Sequence, residues 1–423
     1  MIDLESIYRT TLRECAPDHI VRRVLRPGLP RNVVAIGKCA GPLLDGVFAE
    51  IDVERAFCAL PRGYPWPGSP VILSREDGEG SGRRRDLPRP DSSPSSRLGM
   101  TVGGHPDIDD SSFAAGRQLL EFVDECDDIL FLISGGGSAC VEWPLAPFTR
   151  DELVNANARL VASDLPIGRI NTVRKHLSAI KGGRLAARVH GRSVTLVYSD
   201  VSTGAIGDVA SGPTVADNTT NAGAAHILER VGGCDATVTK LRDESLAETV
   251  HQIGNATAEL IADNGMLTAT AARLVREAGY VPVLWPEQIE TNVEDAARML
   301  AQRAASLEDR EVIVAGGEPT VVRRGGGKGG RCCELAVRFA MCDTNATALF
   351  GSSDGVDGSS GVAAVVLSGA PPPAAARLLA LLEDSDSLSA ATLAGRTIIM
   401  PPTGNNLRDL FLLTADTGIM AHR

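Results

Sequence analysis

Ile129-Leu-Phe-Leu-Ile-Ser-Gly-Gly-Gly-Ser138 decides how this chain is read. Five consecutive apolar residues followed by three glycines between two serines describe a strand buried on both faces that ends in a tight turn. The same grammar recurs along the chain. Val33-Val-Ala-Ile36 runs into Gly37-Lys-Cys-Ala-Gly41, Val194-Thr-Leu-Val-Tyr198 into Ser199-Asp200, and Val312-Ile-Val-Ala315 into Gly316-Gly-Glu318. Thr347-Ala-Leu-Phe350 runs into Gly351-Ser-Ser-Asp-Gly-Val-Asp-Gly358. Helical spacing fills the intervals: Phe113, Leu119, Leu120 and Val123 share a face behind a cap at Asp109 or Asp110. Further helices are expected at 265–277 and 293–307. This alternation predicts an α/β protein with parallel sheets and crossover helices.

A chain of 423 residues is too long for one hydrophobic core, so two α/β domains are expected, with a junction near Asp217–Ala224. With 43% hydrophobic and 22% charged residues the composition is globular, and no apolar run reaches the length of a membrane span. The N-terminal Met1-Ile-Asp-Leu-Glu-Ser-Ile7 lacks the basic and apolar regions of a secretory signal, so a cytoplasmic location is expected. Nine cysteines without a Cys-x-x-Cys pair read as reduced thiols rather than disulfides or a zinc site. A net charge of −11 and 4% aromatic content argue against a nucleic-acid surface. Small anions need only local positive charge. From Arg75 to Arg97 the chain is Gly, Ser, Pro, Arg and Asp with almost no apolar residue, which predicts a disordered surface insertion. Arg83-Arg84-Arg85 within it reads as a solvated loop.

One local concentration of charge stands out: Asn171-Thr-Val-Arg-Lys-His-Leu-Ser-Ala-Ile-Lys-Gly-Gly-Arg184 carries five cationic groups. Two readings stay open, a solvated helix face or a cradle for phosphate and carboxylate. If the segment is helical, Lys181 lies about two turns after Arg174 and points the same way.

The polar clusters sit just after predicted strands, the edge at which open α/β sheets bind ligands. Ser134-Gly-Gly-Gly-Ser138 suits either a phosphate on turned backbone N–H groups or a structural turn. It is not a Walker sequence, and Gly37-Lys-Cys-Ala-Gly41 is not the dinucleotide fingerprint. Lys38 is positioned to reach a transferring phosphoryl group, or is an ordinary surface lysine. Gly325-Gly-Gly-Lys-Gly-Gly-Arg331 is a flexible loop ending in a guanidinium. Asp200, Asp208, Glu318, Asp354 and Asp357 are carboxylates on the same face, and nucleotide-bound Mg²⁺ needs one or two of them.

Taken together, several stretches resemble the glycerate 2-kinases that join an N-terminal Rossmann-like domain to a C-terminal MOFRL domain. These are Gly37-Lys38 with Ala40-Gly41, Gly104-His-Pro106, Ile133-Ser-Gly-Gly-Gly-Ser-Ala139, Ile170–Leu185, Ser199-Asp-Val201, Ala210-Ser-Gly-Pro-Thr214 and Gly316-Gly-Glu318. Gly329-Gly-Arg331 with Glu334, Asp354-Gly-Val-Asp-Gly358 and Pro402-Thr-Gly404 complete the set, which runs nearly end to end. The resemblance implies two Rossmann-like α/β domains with a ligand cleft between them. The first would span 1–222, with the insertion at about 75–98, and the second 223–423, with the MOFRL region at about 310–415. It further implies ATP- and Mg²⁺-dependent phosphorylation of the 2-hydroxyl of glycerate to 2-phosphoglycerate, without nucleic-acid or membrane partners and with a homodimer left open. Another small 2-hydroxy acid, a silent nucleotide-binding relative and a hydroxypyruvate reductase are the alternatives.

On that reading Lys38 and Arg331 stabilise the phosphoryl group and Asp200 orients the hydroxyl. Gly37, Ser134, Gly135, Gly136, Gly137, Ser138, Gly316, Gly317 and Glu318 hold phosphates. Asn171, Arg174, His176 and Lys181 hold the substrate, and Asp208 and Asp354 the metal. The chain departs from the family pattern at Cys332-Cys333, where Asn-Gln is usual, and at Gly103, Pro319 and Gly361. Cysteine in place of amides predicts altered ligand contacts.

Overall fold

The computed structural model describes residues 2–64, 66, 98–202, 204–342, 345–369 and 375–415. The insertion expected at 75–97 and its arginine tract lie outside them. Twelve strands occur among the described residues: β1 (Asn32–Ile36), β2 (Arg55–Pro61), β3 (Leu98–Gly103), β4 (Ile129–Ser134), β5 (Ser193–Tyr198), β6 (Ala256–Ala262), β7 (Val281–Leu284), β8 (Glu311–Gly317), β9 (Thr347–Ser352), β10 (Ala364–Ser368), β11 (Arg396–Ile398) and β12 (Asp409–Thr414). They form two six-stranded sheets, with orders β3-β2-β1-β4-β5-β6 and β11-β10-β9-β12-β8-β7.

The chain divides into two units by its contacts. The first comprises Leu25–Leu196 and Ile206–Glu259. Its strands β3, β2, β1 and β4 pair in parallel, Val34 lying opposite both Phe57 and Phe131. Every residue of β4 is buried, which is why it reads as an unbroken apolar run. The helix Asp110–Asp124 follows its predicted face: Phe113, Leu119, Leu120 and Val123 are all buried, and the Asp109 carboxylate accepts from the N–H groups of Ser111 and Ser112.

The second unit comprises Met1–Val24, Val197–Ala205 and Leu260–Arg423. Here the expectation of parallel pairing is corrected. Only β7 and β8 pair in parallel, whereas β8–β12, β12–β9, β9–β10 and β10–β11 are antiparallel. A fully buried strand has the same apolar signature in either direction, so the sequence could not distinguish them. Its core includes Phe339, Phe350 and Phe411, with successive ring centroids 5.3 and 5.7 Å apart.

The junction expected after residue 222 falls inside the first unit. Ala224, Ala225, Ile227 and Leu228, on the helix Asn221–Arg230, pack with Leu160, Ile170 and Val173, which draws this segment into the first core. Conversely, the N-terminal helix Leu4–Glu14 belongs to the second unit. The fully buried Tyr8 donates its hydroxyl to the Ser352 carbonyl at 2.5 Å, and Asn405 Nδ2 donates to the Leu12 carbonyl at 2.9 Å.

Candidate active site

In the first unit, β1 and β4 end side by side and their turns interlock. Gly37, with φ of 112°, has no room for a side chain: a Cβ would lie 2.4 Å from the Ser134 carbonyl oxygen. The Lys38 N–H donates to the Gly135 carbonyl at 2.8 Å. Ser134 Oγ accepts from the Cys39 N–H at 3.0 Å and donates to the Ile36 carbonyl at 3.2 Å. Gly136 adopts φ of 80° against the Lys38 stem, where a Cβ would come within 2.9 Å of Lys38 Cγ. The triple-glycine turn and Lys38 are therefore one packed structure, and glycine there is a steric requirement.

Two aromatic rings lie beside the lysine. Its ammonium lies 5.1 Å from the Tyr64 ring centroid, within cation–π range. Tyr64 meets His105 edge-on with centroids 6.0 Å apart. Among the described residues, His105 Nδ1 is buried without a hydrogen-bond partner. Burial first, and then the charge of Lys38, hold the imidazole below its ordinary pKa, which favours the neutral ring. The sequence reading gave His105 no role; its place in Gly104-His105-Pro106 was the available signal.

On the other side of the turn runs a chain of polar groups. Ser138 and Ser211 share a hydroxyl–hydroxyl bond of 2.8 Å, Ser211 Oγ donates to Asn171 Oδ1 at 2.9 Å, and Asn171 Nδ2 donates to the Asp208 carbonyl at 3.2 Å. Ala210 and Ser211 have φ of 52° and 60°, a costly backbone for residues with side chains. Ala210 also packs against the turn, because a Cβ on Gly137 would meet its Cβ at 2.8 Å. Lys38, the Ser134–Ser138 turn, Asn171 and Asp208 are thus linked through direct contacts.

The cationic segment is neither a solvated face nor an open cradle. Its helix, Ile167–Leu177, ends before Lys181, so Arg174 and Lys181 do not share a helical face. Lys181 is 1% exposed and paired with the equally buried Glu142. Lys175 bonds Asp217 at 2.8 Å, and His176, fully buried, bonds Asn221 and Thr219. Arg184 donates to the Lys175 carbonyl at 2.7 Å, and half-buried Arg174 donates through Nε to Asn157 at 2.9 Å. Burial would by itself raise the Asp217 carboxyl, but hydrogen bonds from Lys175, Thr219 and Thr249 overcome it and hold the pKa at about 2. The Lys181 ammonium and the His176 ring nitrogens, expected to hold the substrate, are bonded here to other side chains of the same unit.

In the second unit Arg331 begins the helix Arg331–Ala340 and is held from two sides. Its guanidinium donates to both carboxylate oxygens of Asp409, with Nη2 at 3.0 Å from Oδ1, and its Nη1 lies 2.9 Å from Glu318 Oε1. Burial pushes the Asp409 carboxyl up to about 7 despite this partner; burial would lower the Arg331 pKa, but Asp409 and then Glu318 overcome it and hold it above its ordinary value. Arg408 joins the group, its Nε 3.5 Å from Glu318 Oε2 and 2.7 Å from the Asp200 carbonyl. Asn406 Nδ2 donates to Asp200 Oδ2 at 2.7 Å. Gly316 and Gly317 are packing glycines, since a Cβ would meet Asn264 Oδ1 at 2.1 Å or the Ile289 carbonyl oxygen at 2.3 Å. Asp354 Oδ1 accepts from Ser352 Oγ at 2.8 Å and the Val356 N–H at 3.1 Å, a turn of its own.

Comparison with known proteins decides what this chemistry belongs to. A family described as a domain of unknown function (DUF4147) matches residues 3–243, and the MOFRL family matches 311–409. A D-glycerate 2-kinase of Thermotoga maritima is 33% identical over 327 residues, 73% of this chain and 78% of that protein. The chain belongs to the glycerate 2-kinase family. The crystal structure of a glycerate kinase from Thermotoga maritima aligns with a TM-score of 0.79 at 27% identity, covering 97% of each chain. A relative from Agrobacterium vitis, 32% identical over 75% of this chain and 77% of its own length, is provisionally named a hydroxypyruvate reductase. The Cys332 and Cys333 side chains are fully buried, and their N–H groups donate to the two Asp357 carboxylate oxygens at 3.0 and 2.8 Å. Burial, then the neighbouring carboxylates, raises both thiol pKa values, so these are inert core thiols.

Proposed function

We propose that this chain transfers the terminal phosphoryl group of ATP to the 2-hydroxyl of glycerate. A bond forms between that oxygen and the γ-phosphorus, the β–γ bridging bond breaks, and the hydroxyl proton is released, giving 2-phosphoglycerate and ADP. The observation that carries the reading is the packing of Lys38 onto the triple-glycine turn in a chain of this family. An ammonium fixed by its own stem reorganises little as charge develops on phosphoryl oxygens. The strained Ala210-Ser211 backbone, locked to the turn, fixes the Ser138–Ser211–Asn171 chain beside it for positioning rather than for strong base catalysis. Arg331 supplies a fixed guanidinium for nucleotide phosphates, and Asp200, held by Asn406, orients the acceptor hydroxyl.

Mg²⁺ fits this arrangement on modest terms. Among the described residues no three His, Cys, Asp or Glu side chains cluster to hold a metal. A nucleotide-bound Mg²⁺ takes most of its ligands from phosphates and water, so one carboxylate suffices. Asp208, tied to Asn171 beside the turn, suits that part, whereas Asp354 Oδ1 already serves its turn. When bound, the ion neutralises charge on the phosphates. Nine cysteines outside any disulfide suit a reducing cytoplasm, and among the described residues no helix is long and apolar enough to cross a membrane.

The test is a panel of 2-hydroxy acids offered with MgATP while ADP release is followed, alongside NADH oxidation with hydroxypyruvate. Glycerate-dependent ADP release without NADH oxidation is expected. NADH oxidation, or ADP release indifferent to every acid, contradicts the proposal.

A further inference from the structure

We infer that a cavity in the second unit seats the base and sugar of the nucleotide, an assignment that rests on the ATP-dependent reading above. The cavity measures about 690 Å³. That is the range of sites for drug-sized ligands, and a three-carbon acid would leave most of it empty. One wall is the segment that starts at Glu318. Hydrogen bonds fix its course: the Glu318 N–H donates to the Ile289 carbonyl at 2.9 Å, Thr320 N–H to the Thr291 carbonyl at 3.0 Å, and Val293 N–H to the Thr320 carbonyl at 3.0 Å.

Beyond that anchor, Val321 and Val322 line the cavity at 42% and 70% exposure. Adjacent branched apolar side chains at a cavity wall gain free energy when a flat ring covers them. At the other end of the segment Glu318 pairs with Arg331 and Arg408, which also line the cavity; Arg331 is shared with Asp409 and Arg408 with Glu290. Four residue steps from Glu318 to Val322 span at most about 13 Å, comparable with the reach from a purine ring to its phosphates. Glu290, whose Oε1 accepts from Arg408 Nη1 at 2.5 Å, lines the same cavity, and a carboxylate there suits sugar hydroxyls. An apolar end and an end where arginines alternate with carboxylates fit a nucleoside polyphosphate whose phosphates compete with Glu318 for the two arginines. Inorganic phosphate would leave the valines uncovered.

Isothermal titration of the full chain with ATP and with inorganic tripolyphosphate tests the assignment. Val321→Ser combined with Val322→Ser is expected to weaken ATP binding about tenfold, through loss of two apolar contacts, while tripolyphosphate binding is unchanged. Val322→Ile should retain wild-type affinity for ATP. The seat is overturned if the wild-type chain binds no ATP, if the double variant binds it as tightly as wild type, or if tripolyphosphate weakens equally. Wild-type protein that binds ATP in this way yet phosphorylates no acid sinks the kinase reading and leaves the seat standing. A working glycerate kinase whose ATP affinity ignores both valines does the reverse.

Discussion

At the scale of single residues, the positive charges of this chain divide into those that are spent and those that are placed. Lys181 is spent: with Glu142 it forms a pair shut away from water, and removing one partner strands a buried charge. Lys181→Met is expected to cost about 3–5 kcal/mol in urea unfolding, and adding Glu142→Gln should recover part of that loss. Equal stability of Lys181→Met and wild type would contradict the buried-pair account. Lys38 is placed, and its field acts on His105. The His105 imidazole should titrate below the ordinary histidine range by NMR and move upward in Lys38→Ala, because loss of a neighbouring cation favours the imidazolium. Asp217 contributes through linkage: its folded pKa of about 2 lies below the ordinary carboxylate value. Its contribution, about 2 kcal/mol, is complete above that ordinary value and is lost as pH falls toward 2. Asp217→Asn should flatten the acid limb of the stability curve over that window.

At the scale of elements, glycines and caps join turns to helices. The helix Arg331–Ala340 has its first N–H groups satisfied by Asp357, a residue that comes after it in the chain. A Cβ on Gly330 would lie 2.2 Å from Asp357 Oδ1. Gly330→Ala should therefore displace the cap and cost about 1–2 kcal/mol, the usual worth of an N-cap, measured as a lowered midpoint in denaturant. An unshifted midpoint would show that the cap adjusts freely. Elements of this kind were legible where the signal is local. The apolar runs at 33–36, 129–133, 194–198, 312–315 and 347–350 all became strands, and the Asp109 cap stands where the spacing put it. Non-local pairing was not legible. Nothing around Lys181 points to Glu142 or around Lys175 to Asp217, and a charge run without visible partners reads as open. Antiparallel pairing in the second sheet was hidden for a related reason, since a strand buried on both faces carries no mark of its direction.

At the scale of the whole molecule, chain order and spatial order differ. Tyr8 ties the N-terminal helix to residues more than three hundred positions later, and such long returns leave no periodicity to read. The function was more legible than this topology, because glycine turns after strands carry their chemistry in adjacent residues. Lys38 and the Ser134–Ser138 turn could be named before their contact was known. His105, Ser211 and Arg408 emerged only from their neighbours in space. The central claim, phosphoryl transfer to the 2-hydroxyl of glycerate, meets its most direct test in phosphorus NMR of the full chain incubated with MgATP and D-glycerate. The account predicts the resonance of 2-phosphoglycerate alongside ADP, and its near disappearance in folded Lys38→Ala. A 3-phosphoglycerate resonance, no phosphorylated acid at all, or an undiminished product signal from Lys38→Ala would contradict it.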